Sequence, residues 1–395
     1  MRCCSGCCFC IWSTSRSKPT LRARTTSTSE GDLRLALLIS SLGPGGAERV
    51  MALLASDLAA RGHEVWLLTL APSAGDFYAL DPRVHRLALG LEAPSAHLLT
   101  GLIANLRRVR TLRRALATAA PSTVLSFLTR TNVLALLACR GLDMRVVISE
   151  RVDPDSHRDT WLWRVLRRLV YRRADVLVVQ TEEIAAWFRR RALGGRRMVV
   201  IPNPVVVADP TLDPSVAPPP PPYVLGAGRL VRQKGFDLLI RAFATVLQDV
   251  PLLRLVIAGE GPEEQALNGL ASSLGIANRV SFLGNVRSLS ALMRGAEVFV
   301  LASRYEGFPN VLLEALACGL PTVAADCPHG PREILAGGRY GLLVPTDDVA
   351  ALAMALLRVL TDPQLRQRLS ATARSATTPY EKARVIDAWE ALLAH

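Results

Sequence analysis

Aromatic residues are scarce, at 5% of the 395 positions. No apolar run approaches the roughly 20 residues that a membrane-spanning helix needs, so no span is expected. Acidic side chains are in the minority, 34 against 47 lysines and arginines. The net charge of +13, carried almost wholly by arginine, implies an anionic partner: nucleic acid, a phosphorylated ligand or a membrane surface. Beyond residue 10 cysteine is sparse. Cys139, Cys318 and Cys327 read as reduced core thiols of a cytosolic protein. Cys3, Cys4, Cys7, Cys8 and Cys10 crowd the start, but no histidine or second Cys-x-x-Cys cluster completes a zinc pattern. With the Ser/Thr/Arg-rich stretch that follows, residues 1–32 read as a disordered extension. There is no Gly-x-x-x-x-Gly-Lys-Ser/Thr loop, which argues against an NTPase, and the glycines after the first strand do not match dinucleotide-binding spacing.

What is abundant is Ala, Leu and Val, in a chain that is 50% hydrophobic. Short apolar runs alternate with helical patterns, which suits parallel sheets covered by helices. Leu33–Ser40, Val65–Leu70, Thr123–Phe127, Arg145–Ser149, Val176–Gln180 and Met198–Ile201 read as strands of a first series. A proline-rich segment, 206–222, cannot be a helix or a central strand and reads as a stiff linker. A second series begins at Tyr223–Ala227 and continues through Leu253–Ala258, Val280–Leu283, Val298–Leu301 and Thr322–Ala325. The predicted class is α/β: two doubly wound, Rossmann-like domains facing each other across a cleft. They span 33–205 and 223–377, with 378–395 a C-terminal helix that returns to the first domain.

In such sheets ligands bind beyond the C-terminal strand ends. Three stretches fall there. The first is Gly43-Pro44-Gly45-Gly46-Ala47-Glu48-Arg49, a glycine loop opening a helix. The second is Gly228-Arg229 through Gln233-Lys234-Gly235. The third is Ser303 to Ala315, in which a strand meets a tight turn at Glu306-Gly307-Phe308-Pro309 and a helix opens at Asn310. The outward N–H groups of a helix start favour anions. Two cations beside that helix start suit a diphosphate, and Glu306 and Glu314 offer carboxylates to hydroxyls. The arrangement suits a ribose diphosphate.

Two weaker patterns stand in the first domain. Asp153-Pro154-Asp155 has the outline of a metal clamp, but a proline between acids after a strand reads better as a turn. Trp161–Arg173 is an amphipathic helix. Leu162, Val165, Leu166, Leu169 and Val170 form the stripe expected to pack, and Arg164, Arg167, Arg168, Arg172 and Arg173 lie off it, where they would meet an anionic membrane.

From Leu33 to the C-terminus the chain resembles retaining glycosyltransferases of family 4, which have the GT-B fold. The resemblance rests on Gly43–Glu48, Gly228-Arg229-Leu230 with Gln233-Lys234-Gly235, Gly259-Glu260-Gly261-Pro262, Phe282-Leu283-Gly284 and Glu306–Glu314. It implies transfer of a hexose or N-acetylhexosamine from a nucleotide-diphosphate sugar, UDP-linked, to a glycan or lipid-linked acceptor. Configuration would be retained, without metal or other cofactor. Catalysis would rest on Arg229 and Lys234, which hold the diphosphate, and on Glu306, which faces the donor sugar. Gly45, Gly46, Gly307, Phe308, Asn310 and Val311 would line the donor, Glu314 would take the ribose, and backbone at Gly284, Asn285 and Val286 would read the base. Many relatives carry a histidine after the fifth strand; here Glu150-Arg151 stands there and the nearest histidine is His157. Cys327–Glu333 is similar to a subgroup acting on lipid-linked oligosaccharides. The expected location is cytoplasmic, peripheral on the inner face of the plasma membrane. Two other classes compete. A non-hydrolysing UDP-sugar epimerase shares the fold. A nucleic-acid-binding protein would explain the charge, but the arginines lack interleaved aromatics and DNA has no use for Glu306 and Glu314, so no nucleic-acid partner is expected.

Overall fold

The structure, a computed structural model, describes residues 32–91, 98–155, 161–207, 219–286 and 288–395. The N-terminal cysteines, His157 and positions 208–218 of the linker lie outside the described residues. From Leu33 onward the chain builds two sheets. The first holds β1 (Arg34–Ile39), β2 (Glu64–Thr69), β3 (His85–Ala88), β4 (Thr123–Phe127), β5 (Arg145–Ser149), β6 (Val176–Val179) and β7 (Arg197–Val200). Their order is β3-β2-β1-β4-β5-β6-β7. The second holds β8 (Tyr223–Ala227), β9 (Arg254–Ala258), β10 (Val280–Phe282), β11 (Val298–Leu301), β12 (Thr322–Ala325) and β13 (Leu342–Val344), in the order β10-β9-β8-β11-β12-β13. The strand pairings are parallel, so each connection crosses back over a face of its sheet.

Alternation along each strand divides the apolar residues between two faces. In β1, Leu35, Leu37 and Ile39 enter one core while Ala36 and Leu38 enter the other. In the second sheet Val224, Leu255 and Ile257 face one side, and Tyr223, Leu225, Val256 and Ala258 the other. Strands buried on both faces must be apolar throughout, which is why they were legible in the sequence. The two that were missed, β3 and β13, are short edge strands that are only partly buried. A long helix, Leu98–Ala119, follows β3.

The last helix, Lys382–Ala394, belongs by packing to the first lobe. Val385, Ile386, Trp389, Leu392 and Leu393 join the core that holds β1 and the helix Gly46–Ala60. Arg61 pairs with Asp387 and Glu390, and Lys382 Nζ stands 2.8 Å from Asp57. The chain therefore crosses between lobes twice, and the closing helix ties them together.

Candidate active site

The C-terminal end of β11 delivers Ser303, Arg304 and Glu306. Glu306 is only 4% exposed. Its Oε1 accepts from Lys234 Nζ at 2.6 Å and from Ser303 Oγ at 2.6 Å. A buried carboxylate is tolerable only when paired and hydrogen-bonded in this way. Lys234 lies in a 3-10 turn, Arg232–Lys234, laced to the same stretch. Gln233 Nε2 donates to the Tyr305 carbonyl at 2.9 Å, and Arg304 N–H to the Gln233 carbonyl at 2.8 Å. Gly235 ends the turn at φ +64°, and a Cβ there would lie 2.0 Å from the Ala302 carbonyl oxygen, so only glycine lets this loop lie on β11. Arg304 forks onto Asp237, both contacts at 2.8 Å, and fixes the loop from outside.

The helix Asn310–Ala317 follows directly on Pro309, which occupies its N-cap. Phe308 is buried against the Tyr380 ring, and Val311 packs on the same core. The Phe308 side chain is thus engaged in the core of the second lobe, and that of Val311 partly so. Asn310 accepts from Asn203 Nδ2 at 2.7 Å, and a Cβ on Gly46 would come 2.9 Å from Asn310 Nδ2. The glycine loop of the first lobe therefore lies directly over this helix start. One turn further on, Glu314 accepts from Arg49, whose other Nη donates to the Val206 carbonyl at 2.9 Å. Burial raises the Glu314 carboxyl pKa and the Arg49 charge opposes it. Arg229 is exposed, and its charge reaches Glu48, whose carboxyl burial likewise pushes up. At Gly284-Asn285-Val286 the Asn285 N–H is spent on Glu260 Oε1 at 3.1 Å.

The loop after β5 departs from expectation. Glu150 is a core carboxylate that accepts from Thr129 and Tyr171. Arg151 turns inward, 3.9 Å above the Phe127 ring and 5.3 Å from Trp389, and donates to Asn203. Burial pushes its guanidinium pKa down to about 9. Arg151, Asn203 and Asn310 thus form a hydrogen-bonded chain from one lobe to the other. Asp153 and Asp155 do not converge as a clamp. Asp153 accepts the Asp155 N–H at 3.0 Å and faces His329 Nε2 at 3.3 Å, while Asp155 stands 3.6 Å from Arg191.

The arginine helix also needs correction. Of the stripe expected to pack, Val165 and Leu169 are exposed, as is Trp161, whereas Arg167 is buried over the Trp187 ring at 5.5 Å. A guanidinium stacks on an aromatic face and can be buried there, so Arg167, placed off the stripe by pattern, turns inward. Arg49, Asn203, Ser303 and His329 escaped the sequence reading as site residues. Arg49 one turn into a glycine-opened helix, and Asn203 held between Pro202 and Pro204, were the available signals.

Known proteins resemble this chain over most of its described length. Residues 45–204 match the glycosyl transferase 4-like domain and residues 210–376 the glycosyl transferases group 1 family. The chain is 31% identical over 366 residues to a Campylobacter jejuni alpha-1,4-N-acetyl-D-galactosaminyltransferase named for a diNAcBac-PP-undecaprenol glycan, covering 92% of this chain and 98% of that protein. Among solved structures, sucrose-phosphate synthase from Thermosynechococcus elongatus superposes with a TM-score of 0.76 at 22% identity, covering 91% of this chain and 97% of that one. Anabaena HepE in complex with UDP and glucose gives 0.74 at 21%, covering 92% and 99%.

Proposed function

The chain belongs to the family 4 glycosyltransferases of GT-B fold, and on that premise we propose that it moves a hexose or N-acetylhexosamine from a UDP-sugar to a lipid-linked or polysaccharide acceptor, with retention and without a metal. The observation that carries this reading is the convergence of Lys234, Glu306, the Asn310 helix start and Glu314 beneath the Gly45–Gly46 loop. The UDP preference is supported by the named complex of HepE, and the lipid-linked acceptor by the name of the Campylobacter relative. A sugar-nucleotide epimerase and a nucleic-acid-binding protein have no such support.

In this mechanism the exposed Arg229 and the partly buried Lys234 meet the diphosphate, and Glu306 holds the Lys234 ammonium at its place. As the glycosyl–phosphate bond lengthens, negative charge grows on the leaving diphosphate. Preorganised cations and helix-start N–H groups stabilise that charge. The acceptor hydroxyl attacks from the same face, and the leaving phosphate oxygen takes its proton. Glu314 accepts from the ribose in place of, or together with, Arg49. The commitments of Asp153 and Asp155 to His329 and Arg191 favour metal independence.

Screening UDP- and GDP-sugars by thermal stabilisation, then assaying transfer with anomeric analysis of the product, tests the reading. A UDP-sugar is expected to raise the melting temperature and to yield an α-linked product from an α-linked donor, with rates unchanged by EDTA. Abolition by EDTA with rescue by manganese would overturn the metal-free mechanism.

The exposed face of the arginine helix supports peripheral attachment to the inner face of an anionic membrane. Trp161, Val165 and Leu169 recur every fourth residue beside exposed Arg164, Arg168 and Arg172. Among the described residues no helix is long and apolar enough to cross a membrane. Each cation near such a surface contributes about 1 kcal/mol, so reversing Arg164 and Arg168 to glutamate is expected to abolish flotation with anionic liposomes at low salt. Unchanged flotation would make the helix merely structural.

A further inference from the structure

We propose that His329 is a positioning residue of the transfer reaction: reaching from the second lobe to Asp153 and Glu183 of the first, its imidazole holds the loop after β5 against the donor-sugar side of the cleft. The proposal rests on the glycosyltransferase reading above and adds to it a residue that sets closure.

The loop after β12 carries His329 and lies against the turn that holds Glu306. The Glu306 N–H donates to the Pro328 carbonyl at 3.3 Å, and a Cβ on Gly330 would come 2.5 Å from Pro309. On the other side, Gly307 abuts the loop after β5 so closely that a Cβ would lie 2.9 Å from the Arg151 carbonyl oxygen and 3.0 Å from Val152 Cα. His329 spans this junction. Its Nε2 stands 3.3 Å from Asp153 Oδ1 and its Nδ1 3.5 Å from Glu183 Oε2, which also accepts the His329 N–H at 3.2 Å. Asp153 is 4% and His329 9% exposed, so the contact is shielded from solvent. His329 adopts φ +64°, a conformation uncommon for a side-chain-bearing residue, which aims it across the cleft.

The groups facing the imidazole are all acidic: Asp153 and Asp155 from the loop after β5, and Glu183 from the helix Glu182–Arg190. In its own loop Arg332 is paired with Asp326, and Glu333 accepts the Glu182 N–H at 3.3 Å. Burial alone lowers the imidazole pKa, but the hydrogen bond to Asp153 and the nearby carboxylates outweigh it and hold it above the ordinary histidine value. A group whose pKa is raised by the closed state stabilises that state while protonated. The clasp is therefore complete at low pH and is lost as pH rises through the raised pKa.

The test compares wild type with His329→Gln, His329→Lys and Asp153→Asn, each first shown to melt as a folded protein. Transfer at saturating donor is measured against pH, and UDP affinity alongside it. His329→Gln and Asp153→Asn are expected to lower kcat about tenfold near neutral pH, the worth of one hydrogen bond between charged groups, and to flatten the alkaline fall of the wild type. UDP affinity stays within about twofold, because the second lobe keeps Lys234 and Glu314. His329→Lys keeps the charge, recovers most of the rate and carries it to higher pH. Small-angle scattering gives a readout independent of activity: the wild type expands as pH rises, and His329→Gln is already expanded at low pH. An unaltered kcat and alkaline limb in His329→Gln overturns the proposal. So does a radius identical to wild type at every pH. Absence of transfer and of UDP-induced stabilisation in the wild type sinks the glycosyltransferase reading instead, and scattering then decides the clasp by itself.

Discussion

Lys234→Ala is expected to lower turnover about a hundredfold, the loss of roughly 3 kcal/mol that follows removal of one preorganised charged donor. The ammonium is held 2.6 Å from Glu306, and in the proposed mechanism it meets the leaving diphosphate. The same change harms the fold. Glu306 keeps only Ser303 and is left as a buried carboxylate without its cation, at a cost of about 1–3 kcal/mol. The two effects separate in the double variant Lys234→Ala/Glu306→Gln. Neutralising the carboxyl removes the unpaired charge, so the melting temperature should recover, whereas single-turnover transfer should stay well below that of Glu306→Gln alone. Recovery of both would mean that Lys234 serves the fold alone.

Trp389→Ala is expected to cost about 3–5 kcal/mol, a large share of the roughly 5–15 kcal/mol by which domains are stable. Trp389 is fully buried, lies 5.9 Å from the Phe127 ring and stands beneath the Arg151 guanidinium at 5.3 Å. Truncation opens a cavity in the first lobe although the residue lies near the end of the chain. Hydrogen exchange should therefore quicken in β1 and β4 while β8 and β11 of the second sheet remain protected. Trp389→Phe should restore most of the stability, because the indole Nε1 makes no hydrogen bond that phenylalanine would forfeit. Equal loss of protection in both sheets would show that the closing helix supports the whole molecule rather than one lobe.

The sequence by itself determined the two sheets and the positions of the loops at their strand ends. A strand covered on both faces must be a continuous apolar run, and a backbone packed closely on a neighbouring element needs glycine where Gly46 and Gly307 stand. These are local demands, met within a dozen residues. The edge strands β3 and β13 were missed because His85 and Arg86 break the apolar run of the first, and the second pairs over only the three residues Leu342–Val344. Periodicity also misassigned Arg167, since it reports which residues share a helix face and not what an arginine finds there. Only the tertiary structure decided the partners. Lys234 meets Glu306 across 72 positions, Arg49 meets Glu314 across 265, and His329 meets Asp153 from the opposite lobe. Each of these carboxylates and cations satisfies its local pattern equally well facing water. The choice of partner follows from how two lobes close and from the cost of burying a charge alone, which acts only once the cleft exists.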